Sequence, residues 1–408
     1  MTPLIVLVFA LTYAGMAIGR VPGLRLDRAG IAMIAAVLLS ATGAIAPPQV
    51  IEAVHFPTLL LLGSLMILSA RLRVTGFYDA LARRIAEYAA RPHLLLALTI
   101  LIGGLLSAFL VNDVVVFALT PLLCAGIVAR GLDPRPYLLG LAAASNAGSA
   151  ATLIGNPQNI LIGQVGRLDF WGYFATALPP ALLALLLTFI VIALIWRKSL
   201  TRPATGTAPA SAPLDRAGIG ISATGLLVLL ILFATTLPRE ISCLLVAACL
   251  ILSRRIASRQ LFDEIDVPLL LLFAGLFIVN AAFAGTGLPK EALQYLTDAG
   301  FLPTRLSLLA PLALVASNTI GNVPAVVLLL EIWQTIPEGV MTGLALLSTL
   351  AGNFLLIGSL SNLIVAERAA ASGITIGFVD HAKVGIPITL LSLGGAVLWL
   401  WALGLMPI

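Results

Sequence analysis

Ser145-Asn-Ala-Gly-Ser-Ala-Ala-Thr-Leu-Ile-Gly-Asn-Pro-Gln-Asn159 is a polar, helix-breaking stretch set inside a long apolar run. Gly148 and Gly155 open backbone conformations closed to other residues, and Pro157 has no N–H to give a helix. A second interruption precedes it, Ser107-Ala-Phe-Leu-Val-Asn112-Asp113. Both return later in the chain, as Ser317-Asn-Thr-Ile-Gly-Asn322 and as Ser348-Thr-Leu-Ala-Gly-Asn353-Phe-Leu-Leu-Ile-Gly-Ser-Leu-Ser-Asn362. At membrane depth, non-helical backbone is tolerated only where it is buried in protein or lines a wet cavity.

Composition puts these breaks in a membrane. Hydrophobic residues make up 60% of the chain and charged residues 10%, whereas a water-soluble domain carries about 25% charged residues. Met1 to Gly19 lacks a basic leader and a small-residue cleavage site, so it reads as the first span rather than a signal peptide. The longest polar stretch is Arg197 to Arg216, too short for a soluble catalytic domain. The net charge of +5 is scattered at helix ends with no aromatic-flanked basic patch, which argues for cytoplasmic loops and against nucleic acid. Cys124, Cys243 and Cys249 lie in apolar runs and read as small buried hydrophobes. His55, His93 and His381 sit near span ends, so neither a metal site nor a cofactor is expected. No nucleophile–His pair faces a common site, so the chain is not expected to be an enzyme.

The two halves align. Pro57-Thr-Leu-Leu-Leu-Leu-Gly-Ser-Leu-Met-Ile and Pro268-Leu-Leu-Leu-Leu-Phe-Ala-Gly-Leu-Phe-Ile stand 211 positions apart, as do Thr75-Gly76 and Thr286-Gly287. Ser107 and Asn112 match Ser317 and Asn322 at an offset of 210, and Gly155 and Asn159 match Gly358 and Asn362 at 203. Apolar runs at 3–19, 29–46, 57–70, a broken 137–165 and 170–196 give five crossings in the first half. Between the third and fourth, 93–129 breaks at Asn112-Asp113. Its arms of about 17 residues, near 25 Å of helix, are long enough for two short spans, but the preferred reading is a re-entrant hairpin with its tip at mid-depth. Five crossings is an odd number, so the second half is inverted. Arginine distribution agrees: Arg20, Arg25, Arg28, Arg71, Arg73, Arg83, Arg84, Arg130, Arg135, Arg254, Arg255, Arg259 and Arg368 fall in loops expected inside. The expectation is an all-α polytopic membrane protein of about ten crossings, with two re-entrant hairpins and two broken helices. Residues 1–196 form repeat 1, 197–216 a cytoplasmic linker and 217–408 the inverted repeat 2.

Paired interruptions in matching places of two inverted halves mark the substrate site of a secondary transporter. Asp113 is the one carboxylate at an expected hairpin tip, with no Lys or Arg at its depth, and the second tip has Val323 and Pro324 instead. An ionisable group at that depth is costly and usually functional; a hairpin cap is the plainer reading. With Asn112 it is the candidate for the coupling proton or cation. The candidate substrate groups are Ser145, Asn146, Thr152, Gly155, Asn156 and Asn159 in the first break, and Asn353, Gly358, Ser359 and Asn362 in the second. Ser107, Ser317, Asn318, Thr319 and Asn322 at the tips complete the set. Small-residue helix packing is the competing reading, and asparagine is a poor choice for packing alone. Half-helix N-termini and amides suit a small anion or a neutral polyhydroxy acid. Glu331 reads as an interfacial charge, and Glu367 with Arg368 as a surface pair. The amphipathic segments 77–90 and 288–299 are expected to lie along the membrane surface.

At these residues the chain resembles the ion transporter superfamily, specifically the ArsB/NhaD-type permeases, which include arsenite and silicon efflux transporters and bacterial anion permeases. The resemblance covers nearly the whole chain. It rests on Asn112-Asp113 running to Leu119-Thr120-Pro121, on Ala144 through Asn159, on Ala316-Ser317-Asn318 with Asn322-Val323-Pro324, and on Ala351-Gly352-Asn353 through Glu367. It implies a scaffold, a moving transport region with an elevator movement, coupling to protons or sodium, and a homodimer through the scaffold in a bacterial cytoplasmic (inner) membrane. Carboxylate carriers of that superfamily bind sodium and substrate with Ser-Asn-Thr tips. Ser317-Asn318-Thr319 matches, but Ser107-Ala108-Phe109 does not. The leading expectation is proton-coupled export of arsenite or antimonite, with silicic acid next. Sodium-coupled di- or tricarboxylate transport, sodium/proton antiport and a passive channel stand as alternatives.

Overall fold

The computed structural model describes residues 1–18, 26–201, 214–252, 254–333 and 335–408. Arg20, Arg25 and Arg202, with most of the 197–216 linker, lie outside the described residues. The described chain is helical, and one succession of elements is met twice. The first comprises Thr2–Ile18, Arg28–Ala41, the short Pro47–Ala53, Phe56–Val74, the amphipathic Phe77–Ala86, a hairpin of Pro92–Phe109 and Asn112–Val128, a broken crossing of Arg135–Ser149 and Pro157–Val165, and Phe170–Ile195. The second comprises Arg216–Leu232, Arg239–Ile251, the short Ser258–Phe262, Val267–Ala284, Leu288–Asp298, a hairpin of Leu306–Thr319 and Asn322–Ile332, a broken crossing of Glu338–Ala351 and Leu360–Ala371, and Phe378–Ala402.

Local chemistry starts these helices where the sequence allows. Asp27, Asp169, Asp215 and Asp266 each cap a helix, their carboxylates accepting from the N–H of Gly30, Gly172, Gly218 and Leu269, which satisfies a donor that has no partner within the helix. Among the described residues five helices are long and apolar enough to cross a bilayer, Phe170–Ile195 and Phe378–Ala402 among them. Their outward faces carry exposed Leu182, Leu186, Leu390 and Leu398, as lipid contact requires. The chain is a multi-pass helical membrane protein.

Equivalent helices of the two runs pack antiparallel. The Trp399 indole N–H donates to the Thr176 carbonyl at 2.9 Å, and Gly395 lies against Leu183, so Phe378–Ala402 and Phe170–Ile195 run in opposite directions. The His55 and Phe277 rings lie 6.4 Å apart and Gly63 faces Leu270, which reverses Phe56–Val74 against Val267–Ala284 as well. Arg28–Ala41 packs on Val267–Ala284, and Arg239–Ile251 packs on Phe56–Val74. Each run's second helix thus lies on the other run's long third helix. This exchange, with direction reversed, is the arrangement an inverted pair requires.

Each hairpin runs alongside its own broken crossing. Gly140 touches Leu96 and Ile100, Gly148 touches the Gly104 backbone, and the Thr152 hydroxyl donates to the Ala108 carbonyl. Pro92–Phe109 and Arg135–Ser149 are therefore parallel and end at the same depth. A side chain at Gly148 would collide with the Gly104 backbone, so this close approach depends on glycine. In the second run Ser317 Oγ donates to the Ser348 carbonyl at 3.3 Å, and Asn318 Nδ2 to the Ala351 carbonyl at 2.9 Å. The hairpin tips therefore lie beside the breaks in the crossings.

Candidate functional site

Four helices begin at the centre of the protein: at Asn112, Pro157, Asn322 and Leu360. Helix starts carry unpaired N–H groups and a partial positive charge. Two tips cap themselves alike, with Asn112 Oδ1 accepting from the Asp113 N–H and Asn322 Oδ1 from the Val323 N–H, each at 2.9 Å. The Asn112 N–H donates to the Gly155 carbonyl at 2.9 Å, which ties the first tip into the first break. A Cβ at Gly155 would come within 2.6 Å of Ser149 Cα and 2.7 Å of the Ser107 carbonyl, so no larger residue fits there.

Asn146 is the hub. Its Nδ2 donates to Asn353 Oδ1 at 2.8 Å and Asn362 Oδ1 at 3.1 Å; its Oδ1 accepts from Ser359 Oγ at 2.9 Å and Asn112 Nδ2 at 3.4 Å. A matching set surrounds Thr349, which occupies the equivalent place at an offset of 203. Thr349 Oγ1 donates to Asn159 Oδ1 at 3.0 Å and accepts from Asn156 Nδ2 at 3.3 Å. Asn159 Nδ2 reaches the Thr152 carbonyl at 3.0 Å, and Asn362 Nδ2 the Leu355 carbonyl at 3.4 Å. Behind each break stands one side chain of the following long helix. The Tyr173 hydroxyl donates to the Ala150 carbonyl at 2.9 Å, and His381 Nε2 meets the Asn353 carbonyl at 3.0 Å. The two breaks are thus laced together by bonds that repeat about a pseudo-twofold axis. None of these bonds involves a lysine or arginine.

Symmetry fails at Asp113. Asp113 Oδ1 accepts from Ser361 Oγ of the other half at 2.6 Å, whereas the equivalent positions hold Val323 and Gln158. Asp113 opens on a chamber of about 380 Å³ with Arg73, Phe117 and Glu264 among its walls. Phe117, Asp266, Pro268 and Ile364 are shared with an adjoining cavity of about 500 Å³. Arg368 lies with its guanidinium carbon 3.3 Å from the Phe117 ring centroid, and that of Arg73 is 4.6 Å away. Arg73 also pairs with Glu264 at 2.5 Å. Arg368 therefore lines this cavity, as does its neighbour Glu367, and its guanidinium group rests on Phe117 rather than on the Glu367 carboxylate. Adjacent residues on a helix point in different directions.

The expected site residues divide into four groups. Asn112, Asp113, Asn146, Thr152, Gly155, Asn156, Asn159, Asn353, Ser359 and Asn362 meet at the junction through the contacts above. Ser317 and Asn318 brace the second tip; Asn318 Oδ1 accepts from the Leu355 N–H at 3.0 Å and lies against Gly358. Ser107 and Ser145 are buried nearby with hydroxyls that have no hydrogen-bond partner. Thr319 stands apart: it is exposed, and its hydroxyl returns to the Val315 and Ala316 carbonyls of its own helix. The junction also uses Ser361, Thr349, Gln158, Tyr173 and His381. For Tyr173 and His381 the signal is their equivalent place, 208 positions apart, in two matching helices.

The sequence profile of the citrate transporter family (CitMHS) matches residues 7–341. The putative transporter arsB of Dictyostelium discoideum is 24% identical over 90% of this chain and 86% of its own length. The silicon efflux transporter LSI3 of Oryza sativa subsp. japonica is 25% identical over 91% of each. The inner membrane protein YbiR of Escherichia coli (strain K12) is 30% identical over 79% of this chain and 82% of its own. Among solved structures, the YdaH transporter of Alcanivorax borkumensis matches with a TM-score of 0.56 and 17% identity, over 100% of this chain and 99% of that one.

Proposed function

From a chain that belongs to the citrate transporter family, and is therefore a membrane transporter, we propose a proton-coupled exporter of small oxyacids, with arsenite or antimonite first and silicic acid next. Residues 1–196 and 217–408 are its two inverted repeats in this reading. The observation that carries it is the single carboxylate of the junction, Asp113, held by Ser361 from the opposite half inside a lattice of amides and hydroxyls. Such solutes are neutral near pH 7 and need hydrogen-bonding groups rather than fixed cations. The Asn146 and Thr349 clusters supply those groups, and the four helix starts favour electron-rich oxygens. Asp113 supplies the exchangeable proton site, and its chamber gives it access to one face of the protein.

A di- or tricarboxylate would arrive with several negative charges, which the Asn146 and Thr349 clusters have no cation to offset; Arg73 and Arg368 stand outside those clusters, in the chambers beside Asp113. The second-half Ser317-Asn318-Thr319 tripeptide offers little toward a sodium site in this conformation. The Asn318 amide is engaged by Leu314, Ala351 and Leu355, and the Thr319 hydroxyl faces away. The citrate of the family's name, the silicon of the rice relative and the arsenite proposed here are separated by transport in proteoliposomes under a pH or a sodium gradient imposed alone. Uphill arsenite or silicic acid movement driven by pH, and abolished by Asp113→Asn, is the expected result. Sodium-driven succinate movement indifferent to Asp113→Asn would replace this reading with a carboxylate carrier.

A further inference from the structure

The two faces of the protein differ in how tightly the broken crossings meet the rest. On the face away from the arginine-rich loops, Pro157–Val165 packs against Phe56–Val74. There Arg239 Nη2 donates to the Gly163 carbonyl at 2.5 Å, and Gln164 Nε2 to Glu240 Oε2 at 3.2 Å. On the arginine-rich face the equivalent helices, Leu360–Ala371 and Val267–Ala284, stand apart. The cavity of about 500 Å³ lies between Leu269 and Leu272 on one side and Leu363 and Ile364 on the other.

Equivalence names the groups facing each other across that gap. Arg28 and Arg239 are each the first residue of their half's second helix, 211 positions apart. Gly163 and Gln164 correspond to Ala366 and Glu367, and Glu240 to Ala29. Arg28 and Ala29 line one wall of the cavity and Glu367 the other. In this structure Arg28 Nε donates within its own half, to the Met16 carbonyl at 3.2 Å.

We propose that Arg239 and Arg28 are the two gate residues of the transport cycle, acting alternately. Arg239, bound to the Gly163 carbonyl, holds one face shut here; Arg28 crosses to the Ala366 carbonyl when the arginine-rich face shuts. Inverted copies that exchange conformations make the contact set closing one face in one half also close the other face in the other half. Closure then brings Ala29 to Glu367 as Glu240 now meets Gln164. The proposal rests on the transporter reading and on neither the substrate nor the coupling ion.

The test uses the full chain with Cys249→Ser, since Cys249 is exposed while Cys124 and Cys243 are buried. Two cysteine pairs are compared under copper phenanthroline: Gln164→Cys with Glu240→Cys, and Ala29→Cys with Glu367→Cys. Both pairs are expected to cross-link and to stop transport reversibly. Labelling of Ile364→Cys by an impermeant maleimide from the arginine-rich side should persist in the first cross-linked form and fall about tenfold or more in the second. Failure of the Ala29–Glu367 pair to cross-link while the other pair does, or unchanged Ile364→Cys labelling once it has, overturns the proposal. Single variants give an independent reading. Loss of a hydrogen bond from a charged donor shifts a two-state equilibrium by about tenfold. Arg239→Gln is therefore expected to lower Ile364→Cys labelling and Arg28→Gln to raise it; equal shifts in one direction would count against alternation. These readouts report conformation directly, so their failure leaves the oxyacid assay unaffected.

Discussion

Replacing Asn146 with alanine removes four hydrogen bonds at once, to Asn353, Asn362, Ser359 and Asn112. Hydrogen bonds between membrane helices contribute about 0.6 kcal/mol each on average. Four of them give a loss near 2–3 kcal/mol, or about fiftyfold in the unfolding equilibrium. Ser145 provides the control, because it precedes Asn146 on the same helix and is equally buried, yet its hydroxyl has no partner. Ser145→Ala is expected to change stability by less than about 0.5 kcal/mol. Reversible unfolding in detergent micelles, followed by circular dichroism for both variants, measures the difference. Asn146→Ala should also cut transport, since the two broken crossings meet through this side chain. If both variants unfold with the wild type, Asn146 is not the tie between the halves and the junction must be held by other contacts.

Asp113→Asn keeps the shape of the side chain and removes its exchangeable proton; pH-driven accumulation should vanish while the purified protein remains folded, measured by solute counterflow in proteoliposomes. Transport that still follows the pH gradient in this variant would clear Asp113 of that role. Gly155→Ala drives a methyl group to 2.6 Å from Ser149 Cα, and overpacking of that kind costs about 1–3 kcal/mol; a lower melting temperature and slower transport are expected together. Thr319→Ala should alter transport by no more than about twofold, since an exposed hydroxyl bonded to its own helix contributes little. A sodium-dependent defect in Thr319→Ala would instead revive the carboxylate reading.

Much of this arrangement is legible in the chain because breaks in apolar sequence are conspicuous. The turns after Phe109 and Thr319 fall next to Asn112 and Asn322, where glycine, asparagine and serine interrupt runs of leucine and valine. Partners across the axis are a different matter. Ser361 lies 248 residues from Asp113, and no local pattern states that contact. Thr349 hides for a similar reason: it stands where the first half has Asn146, and a threonine in an apolar run looks like packing. Tyr173 and His381 act on equivalent carbonyls with unlike side chains, so similarity between the halves conceals their common role. Arg368 misleads because sequence neighbours suggest a pair with Glu367, whereas helix geometry turns it toward Phe117.

The lone carboxylate also sets a thermodynamic ceiling on the proposed cycle. With one exchangeable proton at the junction, a single proton accompanies each solute. A pH difference of one unit is worth about 1.4 kcal/mol, which sustains about a tenfold concentration ratio of a neutral solute. A membrane potential of 100 mV adds about 2.3 kcal/mol for the charge that moves, or a further factor near fifty. Val323 holds the twin position, so a second acid placed there would square the attainable ratio at the cost of two protons per turn. The duplicated frame thus leaves room for two gears, of which the proposed cycle engages one.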